Sequence, residues 1–428
     1  MKILIVTPFL PYPGVAHGGG TAMLNNILCL RRHHEIFLAA MYEADEKDKL
    51  GAIAEYATLV IATETVTDTQ ANAAAEVRRV AYASWPTLLG LILRSLSGWI
   101  LRGFFNCDYR RKPAPETSSF LRQVLAKIDE IKPDLVQVEY TQMAVHLGKS
   151  LKQKRIPSVA VAMDVEMKQL YRRFQSEPWG LRKLLAYVRY QSRRQVELKA
   201  YSHFQRVYTL SQHDQEILNR EAKSLPVSVR RHVMHLPPPS GPVMRCPNMV
   251  LFVGAMVRHE NIEAMKFILD QVWWKVKTEC PSAELHVVGG GVTDEICQHH
   301  NGKDIFVHGY VPDLPGFYLQ SRVMLAPLFT GGGIIIKVFE ALAYGLPTVA
   351  TPIANEGVAA TPGKEILLAT TADEFARQIT RLLRDDDLWQ TLSTAGQQLI
   401  RTVYQPDHIA ATLEREYETI IREFKLQS

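Results

Sequence analysis

The sequence predicts an α/β protein of two domains, each built on a parallel, doubly wound sheet. At 428 residues the chain is longer than one ordinary hydrophobic core accommodates. Short apolar runs alternate with amphipathic stretches along it, which is typical of strands and crossover helices in a parallel sheet. A strand, a glycine-rich turn and a helix follow one another near residue 2 and again near residue 322. This order opens doubly wound domains.

The composition indicates a globular, mildly basic chain. Apolar residues make up 47% and charged residues 22%, and the net charge is +5. These values fall well short of the basic character of a nucleic-acid-binding domain, so we expect no nucleic-acid partner. The five cysteines show no CxxC spacing, which argues against a disulfide framework or a zinc site and suits a reducing cytoplasm.

The N-terminal run MKILIVTPFLPYPG has one lysine and a short apolar stretch followed by prolines. It is typical of a first strand and not of a signal peptide. No apolar run reaches about 18 residues without a charge, so no transmembrane helix is predicted. We therefore expect a cytoplasmic protein, whose membrane contact would be peripheral and on the inner face of the plasma membrane.

The first domain is predicted over residues 1–240. Its opening strand, residues 2–6, is followed by a glycine loop and a helix over residues 21–30. Further strands are predicted at residues 35–41, 58–62, 134–139, 158–163 and 206–210. Because ligands of such sheets bind at the carboxyl ends of the strands, the loop is a candidate wall of the site. Its glycines are Gly18, Gly19 and Gly20.

Two strand ends in this domain carry carboxylates where a site would lie. Glu139 ends the run VQVE, and Asp164 follows the run VAM. Both are candidates for contact with a substrate. For each, a helix cap or a buried ion pair is an equally good interpretation.

Two further segments have the character of outward-facing surfaces. Residues 86–105 are strongly apolar, but arginines interrupt the segment too often for it to span a membrane readily. Residues 167–199 form a basic helical stretch with apolar residues at helical spacing, of which Leu181 and Leu184 are two. One interpretation is a core-facing stripe with a solvated basic face. The other is a peripheral anchor to anionic lipid.

The second domain is predicted over residues 241–404, after a proline-rich linker near residues 235–247, and a last helix over residues 405–428. Strands are predicted at residues 249–253, 284–288, 322–328 and 348–351. The closing amphipathic helices are predicted at residues 372–383, 387–402 and 406–424.

The stretch 322–357 carries the clearest chemistry. Three glycines, residues 331–333, precede a helix over residues 334–344. The N–H groups and positive dipole end of that helix favour an anion, and Lys337 adds a full positive charge. Glu340 follows at i+3, where a carboxylate can accept hydrogen bonds from a ribose diol. The stretch predicts a diphosphate site, although an ordinary glycine turn with a surface ion pair fits equally well.

The sequence GGGIIIKVFEALAYGLPTVAT, followed by ANEG, resembles the donor-binding signature of family 4 glycosyltransferases. The runs VVGGG and GYVPDL match the order of that family's second domain. The resemblance implies the GT-B fold, in which two Rossmann-like domains face a cleft and the C-terminal helix crosses back to the first domain. It places the acceptor on the first domain and a nucleotide-sugar donor on the second.

The resemblance also implies roles for single residues. Lys337 would stabilise the leaving diphosphate, and Asp164 and Glu139 would contact or activate the acceptor. The segment after the strand near residue 309 would wrap the nucleobase. Arg258 is a candidate substitute for the positive charge that the family carries at residues 255 and 260, and a surface residue at the start of a helix is an equally good interpretation. The implied donor-binding residues are Gly18, Gly19, Gly20, Gly254, Arg258, Gly309, Tyr310, Val311, Gly332, Gly333, Lys337 and Glu340.

The chain departs from the family pattern at three places. Gly332 replaces the first of two glutamates, Met163 replaces a histidine, and Ala255 and Glu260 replace an arginine and a lysine. The implied activity is retaining, metal-independent transfer of a hexose-type unit, without a cofactor, to a saccharide or lipid-linked acceptor in cell-surface polysaccharide synthesis. A non-catalytic scaffold and a nucleotide-sugar epimerase are the alternatives, and an anionic membrane surface is a candidate partner.

Overall fold

The computed structural model describes residues 1–15, 18–65, 113–234, 244–330 and 333–426. The apolar segment at residues 86–105, most of the predicted linker and the candidate residue Gly332 lie outside these ranges.

The first sheet has seven parallel strands in the order β3-β2-β1-β4-β5-β6-β7. They are β1 (Lys2–Thr7), β2 (Glu35–Tyr42), β3 (Thr58–Glu64), β4 (Leu135–Glu139), β5 (Ser158–Ala162), β6 (Arg206–Thr209) and β7 (Val227–Val229). The six strands predicted for this domain are confirmed, and β7 is an additional edge strand. Strand β5, SVAVA, is buried at every residue, as expected where both faces of a parallel sheet are covered.

The helices described in this domain are α1 (Gly18–Leu30), α2 (Pro115–Ile131), α3 (Thr141–Gln153), α4 (Glu166–Ser176), α5 (Leu181–Tyr201) and α6 (Gln212–Glu221). A 3₁₀ segment, Ala44–Glu55, precedes β3. Helix α1 starts earlier than predicted. The three glycines expected in a loop form its first turn, and its start approaches the second domain where a side chain has little room.

The predicted basic helix over residues 167–199 is instead two helices, α4 and α5. Pro178 and Gly180 lie between them, and Gly180 has φ +145°, which favours glycine. The side chains of Leu181 and Leu184 are 66% and 53% exposed. Ala186 and Tyr190 are among the buried residues of α5. The interpretation of Leu181 and Leu184 as part of a core-facing stripe is therefore wrong.

The second sheet has six parallel strands in the order β10-β9-β8-β11-β12-β13. They are β8 (Met249–Val253), β9 (Glu284–Val288), β10 (Ile305–Gly309), β11 (Val323–Ala326), β12 (Thr348–Ala350) and β13 (Leu367–Leu368). The four strands predicted for this domain are present, two of them shorter than predicted.

The helices of the second half are α7 (His259–Phe267), α8 (Trp273–Glu279), α9 (Asp294–Cys297), α10 (Leu314–Gln320), α11 (Ile336–Ala343), α12 (Pro352–Asn355), α13 (Ala372–Arg384), α14 (Asp386–Val403) and α15 (Pro406–Leu426). A π-helical turn, Ile268–Val272, joins α7 to α8. Among the helices of the described ranges, none is both long and apolar enough to cross a membrane.

The last helix, α15, packs on the first sheet. Its buried residues Leu413, Tyr417 and Ile420 share a hydrophobic core with Ile3 and Ile5 of β1. The Tyr417 hydroxyl donates a hydrogen bond to Gln137 Oε1 at 2.7 Å, which ties α15 to β4. The chain thus begins and ends in the same core.

Each sheet has one position where the strand order reverses. In the first sheet it lies between β1 and β4, and in the second between β8 and β11. Loops leaving adjacent strands in opposite directions open a crevice at the carboxyl ends, and ligands of doubly wound sheets bind there. Of the predicted site residues, Gly254, Arg258 and Gly333 lie in the loops after β8 and β11, and Gly18–Gly20 and Lys337 lie in the first turns of the helices that follow β1 and β11.

Candidate active site between the two sheets

Loops at the carboxyl ends of the two sheets approach each other where the domains meet, hereafter the cleft. A side-chain carbon added to Gly333, in the loop after β11, would lie 2.2 Å from Asp164 Oδ1, which follows β5. A carbon added to Gly18 would lie 3.0 Å from Cδ1 of Ile336, the first residue of α11. The structure therefore brings the glycine turns of both domains and the Asp164 carboxylate together.

Lys337 occupies the first turn of α11, where no side chain caps the helix. Its Nζ donates hydrogen bonds to the Val253 carbonyl at 2.6 Å and to Asn261 Oδ1 at 2.9 Å, and it lies 4.5 Å from the centre of the Phe252 ring. Burial, with a smaller contribution from the positive charge of Arg258, lowers the Lys337 pKa to about 7. A bound anion would favour the protonated form of this amine.

Arg258 precedes α7 and lies near groups from both domains. Its positive charge lowers the pKa of Lys337 and opposes the rise in the pKa values of Tyr140 and Asp164. Its side chain is 59% exposed, and its Nε lies 4.0 Å from Glu260 Oε2. A partly exposed guanidinium can pair with an anion, and the donor-binding role of Arg258 stays a prediction.

Asp164 is half-buried at the edge of the cleft. Burial raises the pKa of its carboxyl, and the nearby Asp214 carboxylate raises it further, while Lys168 and Arg258 oppose the shift. A carboxyl whose pKa is shifted toward neutrality can accept a proton more readily than an exposed one. The position and the chemistry both suit contact with an acceptor hydroxyl.

Tyr140, directly after β4, has a strained backbone. Its φ of 68° and ψ of 143° lie in a region that glycine adopts almost exclusively. Its ring packs edge-on against Phe9 at 5.2 Å between centroids. Burial raises the pKa of its hydroxyl, followed by the negative charges of Asp164 and Glu139. Such strain clusters at functional sites. Tyr140 follows β4 at the crevice of the first sheet, where its hydroxyl is influenced by the charge of Asp164.

Glu139 is not in the cleft. Its carboxylate is fully buried and accepts two hydrogen bonds from Arg230, at 2.8 and 3.3 Å, and one from Gln137 at 2.5 Å. The geometry therefore supports the buried ion pair, one of the two interpretations open at the sequence level, and not the predicted contact with the acceptor. The partner could not be identified in advance because Arg230 is 91 residues away.

Glu340 does not form the surface ion pair with Lys337 that the i+3 spacing allows. Its Oε2 accepts a hydrogen bond from the Tyr318 hydroxyl at 2.7 Å, and burial raises the pKa of the carboxyl. The side chain is half-buried on the same helix as Lys337.

Gly254 and Gly289 of the second domain allow close packing. A carbon added to Gly289 would lie 2.0 Å from the Gly254 carbonyl oxygen, and one added to Gly254 would lie 2.7 Å from the Asn261 side chain. Gly254 therefore allows Asn261 to approach and accept the Lys337 hydrogen bond. This is an indirect role, whereas contact with the donor was predicted.

The segment predicted to wrap the nucleobase lies next to Gly289. Gly309 ends β10 with φ +69°, and its carbonyl accepts a hydrogen bond from Gly289 N–H at 2.8 Å. Tyr310 is 80% exposed, and Val311 is half-buried. The exposed ring is available to a ligand near the end of β9.

One ion-pair cluster that joins the domains was missed at the sequence level. Lys168 Nζ lies 2.5 Å from Asp214 Oδ1 and 3.4 Å from Glu356 Oε2, and Arg172 pairs with the same Glu356. Glu356 belongs to the second domain, and the other three residues belong to the first. Its place in the ANEG run was visible in the sequence, but its partners lie more than 140 residues away.

Glu197 was also missed. Its carboxylate accepts hydrogen bonds from the backbone N–H groups of Glu166, at 3.1 Å, and Met167, at 3.0 Å. It thereby caps the start of α4, two residues after Asp164. Burial, with repulsion by Glu166, raises the Glu197 pKa to about 8. Glu197 therefore helps to position the Asp164 loop.

The contact between Gly333 and Asp164 yields a direct prediction. Gly333→Ala should leave the fold stable but lower activity by about 10²-fold, because the new methyl group displaces the Asp164 carboxylate by an ångström or more. The rate of the sugar transfer that the resemblance implies measures the effect on activity, and the melting temperature measures the effect on the fold. Gly51→Ala is the matched control, because a carbon added at Gly51 meets nothing within 4 Å. Equal activity of Gly333→Ala and wild type would contradict the cleft geometry.

Comparison with known proteins shows what the chain is similar to. Residues 247–385 match the family model described as Glycosyl transferases group 1. HepE of Anabaena, solved with UDP, has a TM-score of 0.65 and 13% identity, covering 98% of this chain and 100% of that one. Sucrose-phosphate synthase of Thermosynechococcus elongatus has a TM-score of 0.69 and 14% identity, covering 99% and 100%. These likenesses confirm the predicted GT-B fold.

A weaker match concerns a curated sequence. An uncharacterized 44.6 kDa protein in the cps region of Klebsiella pneumoniae is 24% identical over 138 residues, which cover 30% of this chain and 36% of that protein. The match therefore spans about a third of the relative's length. Together, the fold and the match over residues 247–385 confirm the predicted resemblance to GT-B glycosyltransferases.

Proposed function

We propose that this chain is a glycosyltransferase that moves a sugar from a nucleotide-sugar donor to a saccharide or lipid-linked acceptor. The observation that carries the proposal is the position of Lys337. Its amine lies in the uncapped first turn of α11, four residues after Gly333, and Gly333 itself lies against Asp164 of the other domain. This is an arrangement for binding a diphosphate next to a carboxylate.

The chemical step requires stabilisation of a growing negative charge. As the bond between the sugar and the diphosphate breaks, charge accumulates on the leaving phosphate oxygens. Lys337 and the N–H groups of α11 are already in place to interact with that charge, which makes them more effective than solvent. The nearby guanidinium of Arg258 adds to the effect. We propose that these groups supply the positive charge, so that transfer needs no metal and proceeds at full rate in a chelator.

On the acceptor side, we propose that Asp164 orients or deprotonates the attacking hydroxyl. It is the one predicted acceptor-side carboxylate that reaches the cleft, because Glu139 is held by Arg230. Retention of the anomeric configuration follows from the family resemblance, and the anomeric coupling of the product in an NMR spectrum tests it. A role in cell-surface polysaccharide synthesis is supported by the relative in a cps region.

The donor class is tested by thermal shift. We expect one of UDP, GDP, ADP and CMP at millimolar concentration to raise the melting temperature by a few degrees, since a ligand at about 100 times its dissociation constant stabilises by about 2.7 kcal/mol. UDP is the first to test because HepE binds it. The shift should be reduced in Lys337→Ala and unchanged in Lys364→Ala, whose lysine is 70% exposed.

Two outcomes would favour the alternatives. No shift with any nucleotide, together with no transfer, would support a non-catalytic scaffold, which the residues replaced at Gly332, Met163 and Ala255 also allow. Conversion of a nucleotide sugar without any acceptor would support an epimerase.

A further inference from the structure

Large apolar side chains are exposed together on one part of the first domain. Residues 171–189, hereafter the hairpin tip, comprise the end of α4, the turn and the start of α5. Among the described residues, eleven large hydrophobic side chains are exposed, and five of them lie on this tip. They are Tyr171 at 37%, Trp179 at 93%, Leu181 at 66%, Leu184 at 53% and Tyr187 at 42%. Such a concentration indicates an interaction surface.

The tip is a packed cluster rather than a set of loose side chains. The Phe174 ring lies 6.0 Å from that of Tyr171 and 5.3 Å from that of Tyr187. Lys183 Nζ lies 5.2 Å from the Phe174 ring centre and 5.3 Å from that of Trp179. These contacts hold the aromatic groups in place, so little conformational entropy is lost when the surface binds a partner.

The charge of the tip is strongly positive. Residues 171–189 contain five basic side chains and one acidic side chain, a net charge of +4. The acidic residue, Glu177, lies 3.7 Å from Arg173, and Arg172 pairs with Glu356. Arg182 is exposed next to Leu181, and Arg189 is half-buried. Positive charge therefore lies beside the exposed apolar side chains.

We propose that the hairpin tip docks on an anionic membrane surface. Trp179, Leu181 and Leu184 would enter the boundary between head groups and acyl chains, and the basic residues would contact lipid phosphates. Aromatic and aliphatic groups beside arginine and lysine are typical of membrane interfaces. A protein partner would need an acidic, apolar groove, whereas an anionic bilayer provides both chemistries on one extended surface.

Docking would set the position of the cleft relative to the bilayer. Helix α4 has 11 residues and begins two residues after Asp164. At about 1.5 Å per residue, the end of α4, which lies within the tip, is about 16 Å along the helix from its start near Asp164. A lipid-linked acceptor held in the same bilayer would then be within reach of Asp164. This last step rests on the proposed function, whereas docking itself does not.

Vesicle co-sedimentation tests docking without donor or acceptor. We expect the full chain to sediment with vesicles of phosphatidylcholine containing phosphatidylglycerol, and to remain in the supernatant with phosphatidylcholine alone. Trp179→Ala should weaken binding tenfold or more, and Arg182→Glu should weaken it by at least about fivefold. The matched control is Trp274→Ala, which removes another exposed tryptophan, 58% exposed, with Lys275 Nζ 4.6 Å from its ring centre.

Three results would overturn the proposal. The first is equal recovery in the supernatant with both kinds of vesicle. The second is equal loss of binding in Trp179→Ala and Trp274→Ala. The third is a dimer in analytical ultracentrifugation that Trp179→Ala abolishes, without vesicle binding, which would assign the tip to a second copy of the chain. Each variant is first checked for an unchanged melting temperature. Failure of sugar transfer would leave the vesicle result unaffected, so the two proposals are tested separately.

Discussion

Lys337→Ala should lower the rate of sugar transfer by about 10²-fold or more, by analogy with the loss of one oxyanion-hole donor. The lysine is half-buried, lies four residues after Gly333, and is fixed by Val253 and Asn261 rather than by a carboxylate. No opposite charge neutralises it in these contacts, so its positive charge remains available to a diphosphate. We expect the largest loss in the chemical step, because charge on the diphosphate grows as the sugar leaves.

The measurement is the initial rate of transfer at saturating donor, together with the donor's dissociation constant. Lys337→Met keeps most of the apolar contact with Phe252 and removes the charge, and it should be as inactive as Lys337→Ala. Lys364→Ala controls for the loss of a lysine from the same domain. Near-wild-type transfer by folded Lys337→Met would show that the diphosphate binds elsewhere.

The Lys337 pKa adds a prediction about pH to the same residue. Near pH 8 most of the amine is neutral in the unliganded protein, because its pKa is about 7. A bound diphosphate favours the charged form, so the complex holds more protons than the free protein in this range. Nucleotide binding should therefore take up a proton and weaken as the pH rises from about 7 to 9. Calorimetry in buffers of different ionisation enthalpy measures that uptake, which Lys337→Met should abolish.

Local pattern was sufficient to predict most of the fold. Strands such as β1 and β8 are continuous apolar runs bounded by loop residues, and buried parallel strands have that signature. The glycine turn before α11 could also be predicted from neighbouring residues alone. The charge pattern does not reveal the break between α4 and α5, because basic residues are frequent in both helices. Pro178 and Gly180, which lie at that break, were the available signal.

The contacts that assign roles to the carboxylates could not be predicted in the same way. Glu139 and Asp164 both follow or end buried strands, and the sequence treats them alike. Their environments differ because Arg230 follows β7 and reaches Glu139, whereas Asp164 lies opposite Gly333 of the other domain. Each distinction depends on a residue far away in the chain, which periodicity and spacing do not report.

Arg230→Ala should have the largest effect on stability, lowering the free energy of unfolding by about 3–5 kcal/mol. Arg230 and Glu139 are both buried, and removal of the guanidinium leaves a carboxylate without its ionic partner in a region closed to water. The loss of stability should extend to α15, because Gln137 forms hydrogen bonds with both Glu139 and Tyr417.

Urea denaturation and thermal melting measure the effect, with Arg220→Ala as the control, since Arg220 is 69% exposed. The double variant Arg230→Met, Glu139→Leu distinguishes an uncompensated charge from lost packing. It should recover much of the stability, because an apolar pair of similar volume has no desolvation penalty. If the double variant were less stable than Arg230→Ala, the main contribution of the pair would be its specific hydrogen bonds. Glu139 would then be a structural carboxylate that organises β4 and α15, while Asp164 alone serves the cleft.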